Sequence, residues 1–151
     1  MKDIAPPHIR SIRPYLPGKP ISELERELGL TETVKIASNE NPLGPSPKVL
    51  RALRGELKEI NRYPDGSSFA LTGALSRKFD MPSDSILLGN GSNELIEIIV
   101  RTFLQPGDEV VSARGAFVVY ALVTQAAGGL NIVVPMKNDT HDLKAMAAAV
   151  T

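Results

Sequence analysis

Beyond residue 85 the chain alternates short apolar runs with helical periodicities at regular spacing. Ile86 to Leu88 is such a run, and a helical pattern carried by Leu95 follows from Ser92 to Phe103. The turn Pro106-Gly107-Asp108 leads into a strand over Glu109 to Ser112 and a helix over Phe117 to Ala127. Asn131 to Val134 reads as a third strand, and a helix opening near His141-Asp142 is expected to run on to Thr151. This alternation predicts an α/β fold with a mostly parallel sheet, whose ligands sit at the carboxyl ends of the strands. Three strands make a marginal sheet, so the chain is expected to be the amino-terminal part of something longer, truncated before the sheet is complete.

The first 45 residues have a different texture. Pro14, Pro17, Pro20, Pro42 and Pro45 suit an extended arm better than a packed sheet. A short helix over Ser22 to Leu28 interrupts the arm, with Ser22 as N-cap and Gly29 as C-cap. Val34-Lys35-Ile36 then reads as a short strand. Ser46-Pro47 starts a helix on which Leu50, Leu53, Leu57 and Ile60 recur at helical spacing, ending before Tyr63-Pro64. After the turn Asp65-Gly66-Ser67 a further helix runs from about Ser68 to Phe79, with Leu71, Ala74 and Leu75 on one face.

Composition narrows the function classes. A 42% hydrophobic and 23% charged content is that of a soluble globular chain. The 17 Lys and Arg balance 17 Asp and Glu, so no basic field exists to attract nucleic acid or anionic lipid. The start Met1-Lys2-Asp3-Ile4-Ala5-Pro6-Pro7 has no apolar signal core and no run spans a bilayer, which makes a cytoplasmic location the default. Cysteine is lacking and His8 and His141 are far apart in sequence, so no metal site is expected.

Gly89-Asn90-Gly91-Ser92-Asn93-Glu94 is the stretch richest in chemistry. Two glycines allow a tight turn after the apolar run, and the amides of Ser92, Asn93 and Glu94 then begin a helix without intrahelical acceptors. Those donors and the positive end of the helix dipole favour a bound anion such as a phosphate ester. A dinucleotide fingerprint needs glycine where Glu94 stands, and a Walker loop needs a lysine, the nearest downstream being Lys137. By themselves these six residues also fit an ordinary strand-to-helix turn.

Four further features bear on this cradle. Tyr63, in Asn61-Arg62-Tyr63-Pro64-Asp65, places a phenol beside a turn, where it can donate to a phosphate. Phe117 lies five residues beyond Ser112, at the mouth of the same sheet edge, where a flat ring can stack on a heterocycle. The polar, proline-locked Ser38 to Pro47 and the arm segment Pro14-Tyr15-Leu16-Pro17-Gly18-Lys19-Pro20 complete the set. Singly, each also reads as a helix-end aromatic, a core ring, a turn or an arm anchor.

In order, Tyr15-Leu16-Pro17-Gly18, Ser38-Asn39-Glu40-Asn41-Pro42-Leu43-Gly44-Pro45-Ser46-Pro47, Arg62-Tyr63-Pro64-Asp65, Gly89 to Glu94 and Pro106-Gly107-Asp108-Glu109-Val110 form one pattern, covering essentially the whole chain. It resembles the histidinol-phosphate aminotransferases, members of the class I and II aminotransferases of fold-type I. The resemblance implies a parallel-rich sheet with helices on both faces, preceded by the arm. It implies pyridoxal 5'-phosphate as cofactor and the interconversion of L-histidinol phosphate plus 2-oxoglutarate with imidazole-acetol phosphate plus L-glutamate, in histidine biosynthesis. Residues 1–45 would then be the arm and part of the small domain, and residues 46–151 the first part of the large cofactor-binding domain.

Carried over by motif, Gly91, Ser92 and Asn93 match the phosphate grip and Phe117 the ring that stacks on the pyridine. Tyr63 matches a tyrosine that reaches the cofactor phosphate of a dimer partner, which implies a homodimer with shared sites. Tyr15, Asn39 and Asn41 match a lid near the substrate, with Asn93 also placed to meet the imidazole. Gly115-Ala116 stands where relatives often have Pro-Thr, removing a threonine hydroxyl contact. No catalytic residue is assigned within this chain: none of its lysines has the Ser-Lys context, and the Schiff-base lysine, the aspartate that pairs with the pyridinium nitrogen and the substrate-binding arginines are expected after Thr151. An Asn-Pro-x-Asn-Pro segment and a Ser-Lys pair are expected there, and the 151 residues alone are expected to be inert. The alternatives are an aromatic aminotransferase, a threonine-phosphate decarboxylase, or a non-catalytic module binding a phosphate ligand.

Overall fold

A computed structural model describes residues 4–36 and 38–151. The first residues of the start sequence, Met1 to Asp3, lie outside the described residues, as does Ala37. In chain order the described residues form α1 (Pro7–Arg10), α2 (Ile21–Leu28), α3 (Pro47–Glu56), α4 (Phe69–Phe79), a 3-10 turn at Ser83–Ser85, α5 (Ser92–Phe103), β1 (Glu109–Ala113), α6 (Val119–Ala126), β2 (Leu130–Val134) and α7 (Leu143–Ala148). They fall into two compact units, one holding the chain up to Tyr15 and from Ala70 onward, the other Leu16–Phe69.

The first unit is built on a parallel pair. β1 and β2 run in register from Glu109 opposite Leu130 to Ala113 opposite Val134, joined by α6 as the crossover that a parallel pair requires. Helix α6 packs on both strands and against α5, while α7 packs on β1. Ala113, Val119 and Val134 are buried, and Thr124 is fully enclosed with its hydroxyl donating to the Tyr120 carbonyl at 2.7 Å. Each buried valine stabilises the unit by about 1.5–3 kcal/mol. Because Ala113 and Val134 end their strands, this part of the core lies at the carboxyl edge of the sheet, while Thr124 packs toward the other edge beside Gly129. At the opposite edge a Cβ on Gly129 would stand 2.5 Å from Leu104 Cδ2 and 3.1 Å from the Asp108 carbonyl, so glycine lets the two turns meet without displacing either. Helix α1 is tied to α6 by Gln125, whose Nε2 donates to the His8 carbonyl at 3.1 Å and to Ser11 Oγ at 3.0 Å.

The second unit holds α2 and α3. The Pro20 carbonyl receives the amides of Glu23 and Leu24 at 3.2 Å, and Gly29 ends α2 in the left-handed conformation at φ 64°. Ser46 caps α3 by accepting from the Lys48 amide at 3.3 Å, with Pro47 in the first turn.

The α/β class, the α5 bounds and the β1–α6–β2 order agree with the sequence reading. Several local expectations do not. Val34–Ile36 forms no strand, and Ile86–Leu88 joins no ladder, so among the described residues the sheet has two strands where the alternation predicted three. An apolar run fixes a tendency to extend, whereas a strand also needs a partner for its amides. Pro20, not Ser22, caps α2, because its fixed φ presents the carbonyl that the first amides need. Helix α3 stops at Glu56: Gly55 weakens its last turn, and Leu57 and Ile60 stay exposed, so no burial rewards extension. The arm is not uniformly extended, since Pro7 initiates α1. Helix α6 begins at Val119 rather than Phe117, after the turn that Gly115 makes at φ 76°. Helix α7 ends at Ala148 and does not run to Thr151.

Candidate functional site

Gly91 is the N-cap of α5, at φ 87° and ψ 174°, a backbone region open in practice to glycine alone. Its amide donates to the Gly89 carbonyl at 2.9 Å, closing a tight turn, and its carbonyl accepts the Leu95 amide at 3.4 Å. No side chain caps the helix. The amides of Ser92, Asn93 and Glu94 therefore begin α5 without intrahelical acceptors, at exposed or half-exposed positions and at the positive end of the helix dipole.

Gly89 is glycine for a different reason. A Cβ there would stand 2.9 Å from Glu94 Oε2, 3.0 Å from Leu95 Cδ2 and 3.1 Å from Leu95 Cγ. Glu94 folds back so that Oε2 accepts from the Asn90 amide, and Asn90 Nδ2 donates to Oε2 at 3.1 Å and Oε1 at 3.3 Å. The Asn90 amide, then the Asn90 side chain, hold the Glu94 carboxyl below its ordinary value, against a smaller opposing effect of burial. Sequence reasoning counted the Glu94 amide among the free donors and saw in its side chain only an obstacle to a dinucleotide. A capping-box reading would have aimed this glutamate at the amide of the cap residue Gly91, but that amide goes to the Gly89 carbonyl and Glu94 takes the Asn90 amide instead.

Phe117 lies in the loop after β1, about half exposed, with its ring edge-to-face with Tyr120 at 6.3 Å and 88°. Helix α5 packs on α6, and Leu104, directly after α5, lies against Gly129, just after α6, so the two helices finish at the same end of the unit. Helices α5 and α6 thus run side by side in the same direction, and their amino-terminal ends, with Gly91 to Asn93 and Phe117, share one end of the unit. That end is the carboxyl edge of the strands, since α6 starts where β1 finishes. The arrangement can hold an anion against amides and offer an aromatic face nearby.

The remaining sequence candidates are distributed as follows. Tyr15 closes the amino-terminal part of the first unit and is about half exposed. Asn39, Asn41 and Tyr63 belong to the second unit. Asn41 is engaged in its own turn, accepting the Leu43 amide at 3.1 Å and donating to the Gly44 carbonyl at 3.2 Å. Tyr63 is fully exposed. Just beyond it Asp65 accepts from the Ser67 hydroxyl and from the Phe69 and Ser67 amides, which in that order lower its carboxyl below the ordinary value. Among the described residues no group of acidic and histidine side chains is placed to hold a metal ion, and no helix is long and apolar enough to cross a membrane.

Residues 31–151 match the sequence profile of the family described as aminotransferase class I and II. A histidinol-phosphate aminotransferase of Methylobacillus flagellatus is 56% identical over 151 residues, covering 99% of this chain and 41% of that protein. Histidinol-phosphate aminotransferase 2 of Nitrosospira multiformis is 55% identical over 98% of this chain and 38% of its own length. Among solved structures, histidinol-phosphate aminotransferase from Sinorhizobium meliloti in complex with pyridoxal-5'-phosphate superposes with a TM-score of 0.82 at 31% identity, over 95% of this chain and 38% of that one. The chain thus spans about two fifths of the length of the curated relatives it matches.

Proposed function

The chain belongs to the aminotransferase class I and II family, and on that premise we propose that the full-length protein carrying this segment is a histidinol-phosphate aminotransferase. It interconverts L-histidinol phosphate plus 2-oxoglutarate with imidazole-acetol phosphate plus L-glutamate, using pyridoxal 5'-phosphate. The observation that carries the reading is the start of α5: an uncapped helix, led by a glycine at φ 87° and ψ 174°, at the carboxyl edge of a parallel pair. The group fits there, because the uncapped start of α5 leaves the amides of Ser92 and Asn93 without intrahelical acceptors at exposed positions, a setting that suits a compact anion. The identities of 56% and 55% to proteins of that name support the substrate assignment.

In this reading the amides of Ser92 and Asn93, with Gly91 allowing close approach, hold the cofactor phosphate. Phe117 lies against one face of the pyridine ring and keeps water from it. When bound, the cofactor supplies an electron sink for the substrate carbon that loses its proton. Tyr63 serves the cofactor phosphate of a partner subunit, so the enzyme works as a homodimer with shared sites. Tyr15, Asn39, Asn41 and Asn93 border the substrate, residues 1–45 serve as arm and part of the small domain, and residues 46–151 begin the large domain. The protein acts in the cytoplasm on small molecules, without nucleic acid or membrane.

The test is glutamate formation or consumption by the purified full-length protein. Histidinol phosphate with 2-oxoglutarate should be turned over in clear preference to aromatic amino acids, and threonine phosphate should not be decarboxylated. Preference for an aromatic amino acid, or carbon dioxide release from threonine phosphate, would reassign the enzyme within its family.

A further inference from the structure

We infer that Glu94 is the positioning residue of the phosphate cradle: gripping Asn90 from inside α5, it holds the Gly89-Asn90-Gly91 turn in the form that leaves the Ser92 and Asn93 amides open to a phosphate. The inference rests on the function proposed above and adds to it a residue that need not touch the cofactor.

Two observations carry it. Both carboxylate oxygens of Glu94 are engaged by Asn90, one accepting its backbone amide and its side chain, the other its side chain alone. Separately, Gly89 has no positive φ to explain it, yet a Cβ on it would press within 2.9 Å of Glu94 Oε2 and 3.1 Å or less of two Leu95 atoms. The turn therefore lies directly on Glu94, and the first glycine of the motif makes room for that contact while the second supplies the backbone conformation. An exposed turn of this shape has no ladder to hold it, so the Asn90–Glu94 clasp supplies the restraint.

The direction of the clasp matters. A side chain placed before a helix takes up one of the first helical amides, the donors a phosphate would use. Glu94 reaches the other way, to an amide outside the helix, and leaves the inner donors free. Its negative charge opposes a nearby dianion, so what the cradle needs from this residue is the acceptor rather than the charge. Glutamine keeps the acceptor and drops the charge.

The experiment uses the full-length protein stripped of cofactor and titrated with pyridoxal 5'-phosphate by absorbance, with inorganic phosphate as competitor, well below the melting temperature. Glu94→Ala should weaken both ligands by about tenfold, the scale of one lost hydrogen bond. Glu94→Gln should restore wild-type affinity or exceed it, and Gly89→Ala should weaken both ligands as Glu94→Ala does. If Glu94→Ala does not fold, Glu94→Met, of similar length but without the acceptor, takes its place with the same expectation. A lowered melting temperature with unchanged affinities would reduce Glu94 to a helix brace and overturn the inference. Equal losses for Ala and Gln would also overturn it, since the charge would then be the requirement. A wild-type protein that holds no pyridoxal phosphate would overturn the proposed function together with this inference, whereas wild-type binding with no effect of the Glu94 variants would overturn this inference alone.

Discussion

Helices α5 and α7 meet the same problem at their first turn and dispose of it in opposite ways. In α7 the N-cap Asp142 turns its Oδ1 forward to accept the Ala145 amide at 3.0 Å, so one of the orphan donors is satisfied within the chain. In α5 the N-cap is Gly91, which has no side chain to offer, and the one carboxylate in the first turn faces backward to Asn90. A capped start gains about 1 kcal/mol and closes to ligands. An uncapped start forgoes that stability and keeps its donors, as α5 does, whereas α7 gives one of them to Asp142.

The largest expected effect comes from closing this difference at its source. Gly91→Ala places a Cβ in a conformation that costs non-glycine residues about 1–3 kcal/mol. Relieving that strain moves the amides of Ser92 and Asn93, so cofactor affinity should fall by tenfold or more, on the order of 1.4 kcal/mol, along with the melting temperature. Retained affinity on absorbance titration would show that the α5 start is an ordinary turn after all.

A smaller and purely structural loss is expected at the other helix. Asp142→Ala should lower stability by about 1 kcal/mol in denaturant or thermal melts, and Asp142→Asn should recover most of it. Neither should alter pyridoxal-phosphate affinity, and a change in affinity would erase the distinction between the two helix starts.

Acid should produce the smallest signal. Glu94 and Asp65 are both held below their ordinary values, 4.5 and 3.8, by hydrogen bonds that the ionised forms accept. A carboxyl lowered in the folded state stabilises it above the ordinary value, and that contribution is lost as pH falls through the lowered one. Glu94→Gln and Asp65→Asn should each flatten the acid limb of the stability curve, with a small loss against wild type near neutrality that disappears as pH falls below the lowered values. An acid limb identical to wild type would mean that these carboxyls hold their partners no better ionised than protonated.

The candidate site was legible only in part. Ser92 and Asn93 could be read directly, because two glycines between an apolar run and a helical period point to a turn followed by free amides. Phe117 could be placed at the same sheet edge by counting from β1. The clasp of Glu94 on Asn90 escaped that reading, since spacing shows that the two can meet but not that Gly89 leaves room for the meeting. Tyr63, Asn39 and Asn41 entered through the family pattern alone. The hydrogen bonds at Asn41 are those of a turn, which its place before Pro42 and Gly44 anticipates.

The sequence by itself determined the elements whose signals are local: α5 from Ser92 to Phe103, the stop of α2 at Gly29, the Ser46 cap, and the alternation that makes β1 and β2 parallel. Each follows from backbone conformation or periodicity within a few residues. The tertiary structure decided which apolar runs became strands, pairing Glu109–Ala113 with Leu130–Val134 and leaving Ile86–Leu88 outside any ladder. It also set where α3 stops and drew the Gln125 tether to His8 and Ser11, across more than a hundred residues of chain. Pairing, burial and long-range hydrogen bonds join segments that carry no record of one another, so their outcome is fixed only when the chain has packed.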